Sequence, residues 1–137
     1  MKKIALALTV LLFMLNAQAA TNPIDTAQQT CLNRAATTLA MQRCFAEANT
    51  AWDKEMNQQY ARLIAILSTE QKAKLRGAQR AWLEYRDSWL EAVKARLSDS
   101  GTQASLQTGA QQVDLVKNQA LALKSLAQSC GNPDECH

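Results

Sequence analysis

Residues 45–89 read FAEANTAWDKEMNQQYARLIAILSTEQKAKLRGAQRAWLEYRDSW, and this stretch decides the fold class. Its apolar residues recur every three or four positions. Phe45, Ala48, Trp52, Met56, Tyr60, Leu63 and Leu67 make one stripe, and Leu75, Ala78, Trp82, Tyr85, Trp89, Val93 and Arg96 continue a second. That is the period of an amphipathic helix, not the alternation of a strand. Between the stripes stands Ser68-Thr69-Glu70-Gln71. A Ser followed three residues on by Gln has the form of a capping box, so one helix ends near Leu67 and another opens there. So short a joint turns two long helices antiparallel.

Working outward, the same composition persists. No Gly occurs between Pro23 and Gly77, and the next Pro after Pro23 is Pro133. Ala, Leu, Gln, Lys, Arg and Glu dominate, and all are good helix formers. A short helix is expected over Ile24 to Ala36, with Thr37 or Thr38 capping the long helix that follows. Gly77 lies inside the second long helix, where a close helix approach would justify it. Residues 98–109, polar and holding two glycines, read as a flexible loop. A last helix is expected from Ala110 to Ser129, with Val113, Val116, Ala120, Leu123 and Ala127 inward. The expected fold is all-α: an antiparallel hairpin of two long helices, covered by an N-terminal arm and a C-terminal helix.

The chain has 137 residues, enough for one domain. Its first residues form a leader. Met1-Lys2-Lys3 is a positive start, Ile4 to Leu15 is an apolar run, and Ala17-Gln18-Ala19 fits the small-x-small cleavage rule. The run is too short to span a bilayer, which needs about 20 apolar residues. Residues 1–19 therefore read as a signal peptide cleaved before Ala20, and residues 20–137 as a single helical domain. The n/h/c layout suits a bacterial signal, so the expected location is periplasmic or secreted, with no membrane anchor.

The whole chain holds 15 Lys+Arg against 12 Asp+Glu, a net of +3. Loss of Lys2 and Lys3 with the leader lowers this to +1. So even a balance gives no steering field for a nucleic acid or an anionic membrane.

Cys31, Cys44, Cys130 and Cys136 all follow the leader. An even number in a small exported chain reads as two disulfides. The favoured pairs are Cys31–Cys44 and Cys130–Cys136, the second flanking Gly131-Asn132-Pro133-Asp134-Glu135, which is turn chemistry. The alternative links the N-terminal pair to the C-terminal pair. Cys31 and Cys44 cannot share one straight helix, which would hold them about 20 Å apart against the roughly 5.5 Å a disulfide needs. A bend must fall between them, and Thr37-Thr38 is its natural place. Cys130, Cys136 and His137 match no common zinc spacing, and no metal or other cofactor is expected.

His137 is the only His, so ordinary His-based acid–base chemistry is missing. Nothing beyond helical spacing marks Asp53 and Glu84 as a working carboxylate pair. The chain is expected not to be an enzyme. All six aromatics of the mature chain lie between Phe45 and Trp89. They serve as core, or else Trp89 or Tyr85 faces outward for a partner.

Polar residues flank the two stripes. Asp53, Asn57 and Tyr60 share a face of the first long helix. Gln79 and Arg86, seven apart, share a face of the second. Arg86 or Gln79 is expected to meet Asp53 or the Tyr60 hydroxyl, with Glu55 as a further partner for Arg86. Cys44, then Asp53, Asn57 and Tyr60, then Gln79-Arg80-x-Trp82-Leu83-x-x-Arg86-Asp87, resembles the LprI-like family. That family groups small exported bacterial proteins named after a mycobacterial lipoprotein inhibitor of lysozyme. The resemblance runs from about Cys31 to Asp87 and more loosely through the last helix. The family often has a Cys where Leu90 stands, so its second disulfide does not transfer, and the lipobox is missing. The resemblance implies inhibition of lysozyme or another cell-wall hydrolase by protein–protein contact, with Arg80 and Arg86 as candidates for an acidic cleft. The alternative is a non-catalytic helical interaction module of the envelope with no effect on lysozyme, its exposed patch including Trp89, Leu90 and Val93.

Overall fold

The computed structural model describes residues 21–129. The leader and its cleavage site, and the pairing of Cys130 with Cys136, lie outside the described residues. Four helices make up the described part: α1 (Pro23–Arg34), α2 (Thr38–Ile66), α3 (Thr69–Arg96) and α4 (Thr102–Gln128). The described residues are all-helical.

Local chemistry sets the helix ends. The Asn22 side chain accepts from the Ile24 N–H at 2.9 Å, and Pro23 follows at the first helical position, where its missing N–H costs nothing. Thr37 caps α2 by accepting from the Ala40 N–H at 3.1 Å. The capping box forms as read: Ser68 Oγ accepts from the Gln71 N–H at 3.3 Å, and Gln71 Oε1 accepts from the Ser68 N–H at 2.9 Å. Cys31 and Cys44 are joined, with Cα atoms 5.6 Å apart across the bend between α1 and α2.

The expected loop over residues 98–109 is corrected. The connection is short, and α4 begins at Thr102. Gly101 carries the turn with φ of 55°, a conformation that side chains resist. Gly109 is helical, and its role is close approach. A Cβ placed there would lie 3.2 Å from the Phe45 Cβ. Gly77, to which the sequence assigned that role, has nothing within 4 Å of such a Cβ.

The core also differs from a hairpin with a cover. The closest-packed helices are α2 and α4. They run parallel: Gln42 bonds to Ser105, Phe45 lies on Gly109, and Leu63 shares a cleft with Ala127. All of the core cluster comes from these two helices: Ala48, Trp52, Met56 and Leu63 from α2, with Val113, Val116, Ala120 and Leu123 from α4. Close approach is local to Gly109, and elsewhere large side chains of both helices fill the interface. Against them α3 presents longer side chains, Leu75, Gln79, Trp82 and Leu90, and only Leu90 among its residues is buried. Within α3 the inward stripe is rotated from the expected one, so Ala78, Tyr85 and Trp89 are exposed while Gln79 and Arg86 are half-buried.

Candidate functional site

The α2 residues singled out in the sequence are held locally. Asn57 Nδ2 donates to the Asp53 backbone oxygen at 2.9 Å and to Asp53 Oδ2 at 3.1 Å. This i,i+4 pair sits on the α2 surface. Tyr60 is half-buried, its ring packed against the core.

Gln79 is the structural hub of the motif. Its Nε2 donates to Met56 Sδ at 3.6 Å, and its Oε1 accepts from Gln119 Nε2 at 2.9 Å. One side chain therefore ties α3 to both α2 and α4. Gln119 was missed in the sequence. Its signal is position: it lies between Val116 and Leu123, on the inward side of α4. A second polar residue inside the fold, Gln59, is 3% exposed and donates to Glu55 Oε1 at 2.7 Å. Glu55 is thus engaged within α2.

Arg86 does not meet Asp53, Glu55 or Tyr60. Its Nε and Nη2 donate to Asp87 Oδ1 at 2.8 and 2.7 Å, and its guanidinium lies 5.5 Å from the Trp82 ring centre. The register explains the change. With Gln79 opposite Met56, position 82 stands level with Asp53, and Arg86 lies one turn beyond, about 6 Å along the axis. Trp82 packs against the core while its ring meets the Arg86 guanidinium. Arg80 and Asp87 are exposed.

The aromatics divide. Trp52 is fully buried, with Lys117 Nζ 5.6 Å from its ring centre. The same ammonium pairs with Asp25 Oδ2 at 2.6 Å, linking α1 to α4. Tyr85 is 52% exposed and Trp89 43% exposed. Their ring centres stand 6.2 Å apart with 30° between planes, and Trp89 Nε1 donates to Gln111 Oε1 at 3.1 Å. Both rings are therefore exposed and not core. Leu90, expected in that exposed patch, is buried.

These features define a class: a helical protein whose first helix is stapled by a disulfide, with arginines and aromatic rings displayed along α3. Among the described residues no cluster of three or more His, Cys, Asp or Glu could hold a metal ion, and no helix is long and apolar enough to cross a membrane. The chain belongs to the lysozyme inhibitor LprI family, whose pattern matches residues 31–123. That span starts at the first disulfide cysteine and ends at the last core leucine of α4. A crystal structure of an uncharacterised protein from Burkholderia thailandensis is similar over 82% of this chain, with a TM-score of 0.71 and 27% identity. This chain spans 57% of that protein's length. No curated protein matches the chain in sequence.

Proposed function

We propose that this protein is exported to the periplasm or beyond and inhibits lysozyme, or another cell-wall hydrolase, by binding it. Family membership over residues 31–123 carries this reading. The geometry sorts the motif into two groups. Gln79 ties three helices together, Tyr60 packs against the core, and Asn57 donates to Asp53. Arg80 and Asp87 are exposed on α3, and the half-buried Arg86 lies against the Trp82 ring. Arg80 and Arg86 are the residues proposed to meet an acidic cleft, since a guanidinium pairs a carboxylate through two donors. The protein acts as a binder and not as a catalyst, with no cofactor.

The test is a titration of the secreted protein against c-type and g-type lysozymes, reading muramidase activity and binding heat together. The expected result is stoichiometric inhibition, weakened about thirtyfold by Arg80→Ala or Arg86→Ala, the loss at the threshold of an interface hot spot. No binding at about 10 µM, where a useful inhibitor should be saturated, would exclude these enzymes as targets.

A second reading, the non-catalytic envelope module, is favoured by the exposed Leu83, Tyr85 and Trp89. It predicts no effect on lysozyme and self-association visible by gel filtration.

A further inference from the structure

We infer that the end of the molecule where α2 and α4 stop and α3 begins docks on the anionic surface of a lipid bilayer. This goes beyond the inhibitor reading and does not rest on it.

The three helix ends meet in one place, where Leu63, Leu75 and Ala127 line a single cleft. Arg62 stands four residues before the end of α2 and Lys124 four before the end of α4. Lys72, Lys74 and Arg76 lie within the first eight residues of α3. All five are within about 11 Å of that end along the helix axes. Among the described residues, Glu70 is the one acid in the same stretches. Asp134 and Glu135 follow in the sequence, outside the described residues, and counting both still leaves five cations against three acids. None of the five cations is in an ion pair among the described residues. Lys72 and Arg76, one turn apart, oppose each other within α3. The near-neutral sum over the chain therefore hides an excess of positive charge at one end. The Debye length at 0.1 M salt, about 10 Å, matches the depth of this cluster. A surface laid against that end feels its cations and little of the rest.

The spread of the charges selects the partner. The cations come from three helices, and only Lys74 of them lines the cleft, so no single small anion is gripped. A plane of anionic headgroups meets the whole group. Large apolar side chains stand among the cations: Ile66 is 65% exposed and Leu126 is 52% exposed. Against a soluble acidic chain they would stay in water. At a bilayer they enter the headgroup region, while lysine and arginine stems lie along the interface with their charges at the phosphates. The contact is peripheral, since no helix among the described residues is long and apolar enough to cross.

The experiment mixes the secreted protein, freed of its leader and without lysozyme, with vesicles of phosphatidylglycerol or of phosphatidylcholine, and measures co-sedimentation. The expected result is binding to phosphatidylglycerol alone at about 0.1 M salt, with release at about 1 M. Each cation near an anionic surface is worth roughly fivefold in affinity, so Lys74→Ala with Arg76→Ala should weaken binding roughly twenty-five-fold. Arg34→Ala with Arg43→Ala removes the same charge near the opposite end and should leave binding unchanged. Ile66→Ser with Leu126→Ser should weaken it too. All six residues are exposed, and unchanged melting curves would show that the variants fold. No binding to phosphatidylglycerol would overturn the proposal, as would equal losses in the two charge variants. Capture of soluble polyglutamate as tightly as of vesicles, with the Ile66 and Leu126 variant unaffected, would assign the end to an acidic polypeptide and overturn it as well. Vesicle binding by a protein that leaves lysozyme active would support the proposal and remove the inhibitor reading alone.

Discussion

Two glycines with the same helical backbone carry opposite costs. Gly77 has open space where a side chain would sit, so it contributes only the weakness of Gly in a helix. Gly77→Ala should raise stability by about 0.5–1 kcal/mol. Gly109 faces the Phe45 ring, with Cβ distances of 3.2 to 3.4 Å. A Leu there must push α4 off α2, and Gly109→Leu should lose about 1–3 kcal/mol, the usual cost of overpacking. Denaturant midpoints of the two variants give the sign of each effect directly. Trp52 poses a different question. Its ring is fully buried, yet its Nε1 finds no partner among the described residues. Trp52→Ala should cost about 3–5 kcal/mol through the cavity it leaves. Trp52→Phe should cost clearly less, because it removes the unpartnered N–H along with part of the ring. Thermal melts of the pair separate packing from polarity at this position.

At the scale of elements, α1 is held by few bonds, and each is identifiable. None of its residues is buried. Ile24 packs against the core, Asp25 pairs with Lys117, and Cys31 is joined to Cys44. The ion pair is partly exposed and contributes about 1 kcal/mol or less. The disulfide closes a separation of 13 residues and stabilises by about 3 kcal/mol in the chain-entropy account. Replacing both cysteines by Ser should lower stability by about that amount, read from urea unfolding. It should also speed tryptic cleavage at Arg34, the last residue of α1, before α2–α4 are cut. Equal cleavage rates with and without the disulfide would show that α1 holds to the body by packing alone. Mass spectrometry of the non-reduced C-terminal tryptic peptide checks the second pairing. Cys130 and Cys136 in one disulfide lower its mass by two hydrogens and leave no cross-link to Cys31 or Cys44.

Across the whole molecule, stability is concentrated between α2 and α4, while α3 lies outside them. Leu63 and Leu123 are 1% and 3% exposed, whereas Leu83 on α3 is 37% exposed. Leu63→Ala or Leu123→Ala should cost about 2–5 kcal/mol. Leu83→Ala should stay within about 0.5 kcal/mol, as surface substitutions do. The arrangement has a functional consequence. A helix that contributes little to the core can display arginines and aromatic rings without weakening the fold.

The helices, and every helix end but the start of α4, were legible in the sequence because they rest on local chemistry. The apolar period, the Ser68–Gln71 box, Thr37 and the need for a bend between Cys31 and Cys44 all act within a few residues. The inward residues of α4 from Val113 to Ala127 were legible for the same reason. The partner of each helix was not. Period alone cannot tell that Gly109 is a contact with Phe45 rather than the end of a loop, because that depends on a residue far away in sequence. Nor can it orient α3, where aromatic residues satisfy an inward and an outward stripe equally well. Only the packed structure decided that Gln79 and Leu90 turn in while Tyr85 and Trp89 turn out. The apolar faces of α2 and α4 make the core, and α3 lies outside them with Gln79 between Met56 and Gln119. Arg86 is thereby one turn past Asp53, and its charge meets Asp87 instead.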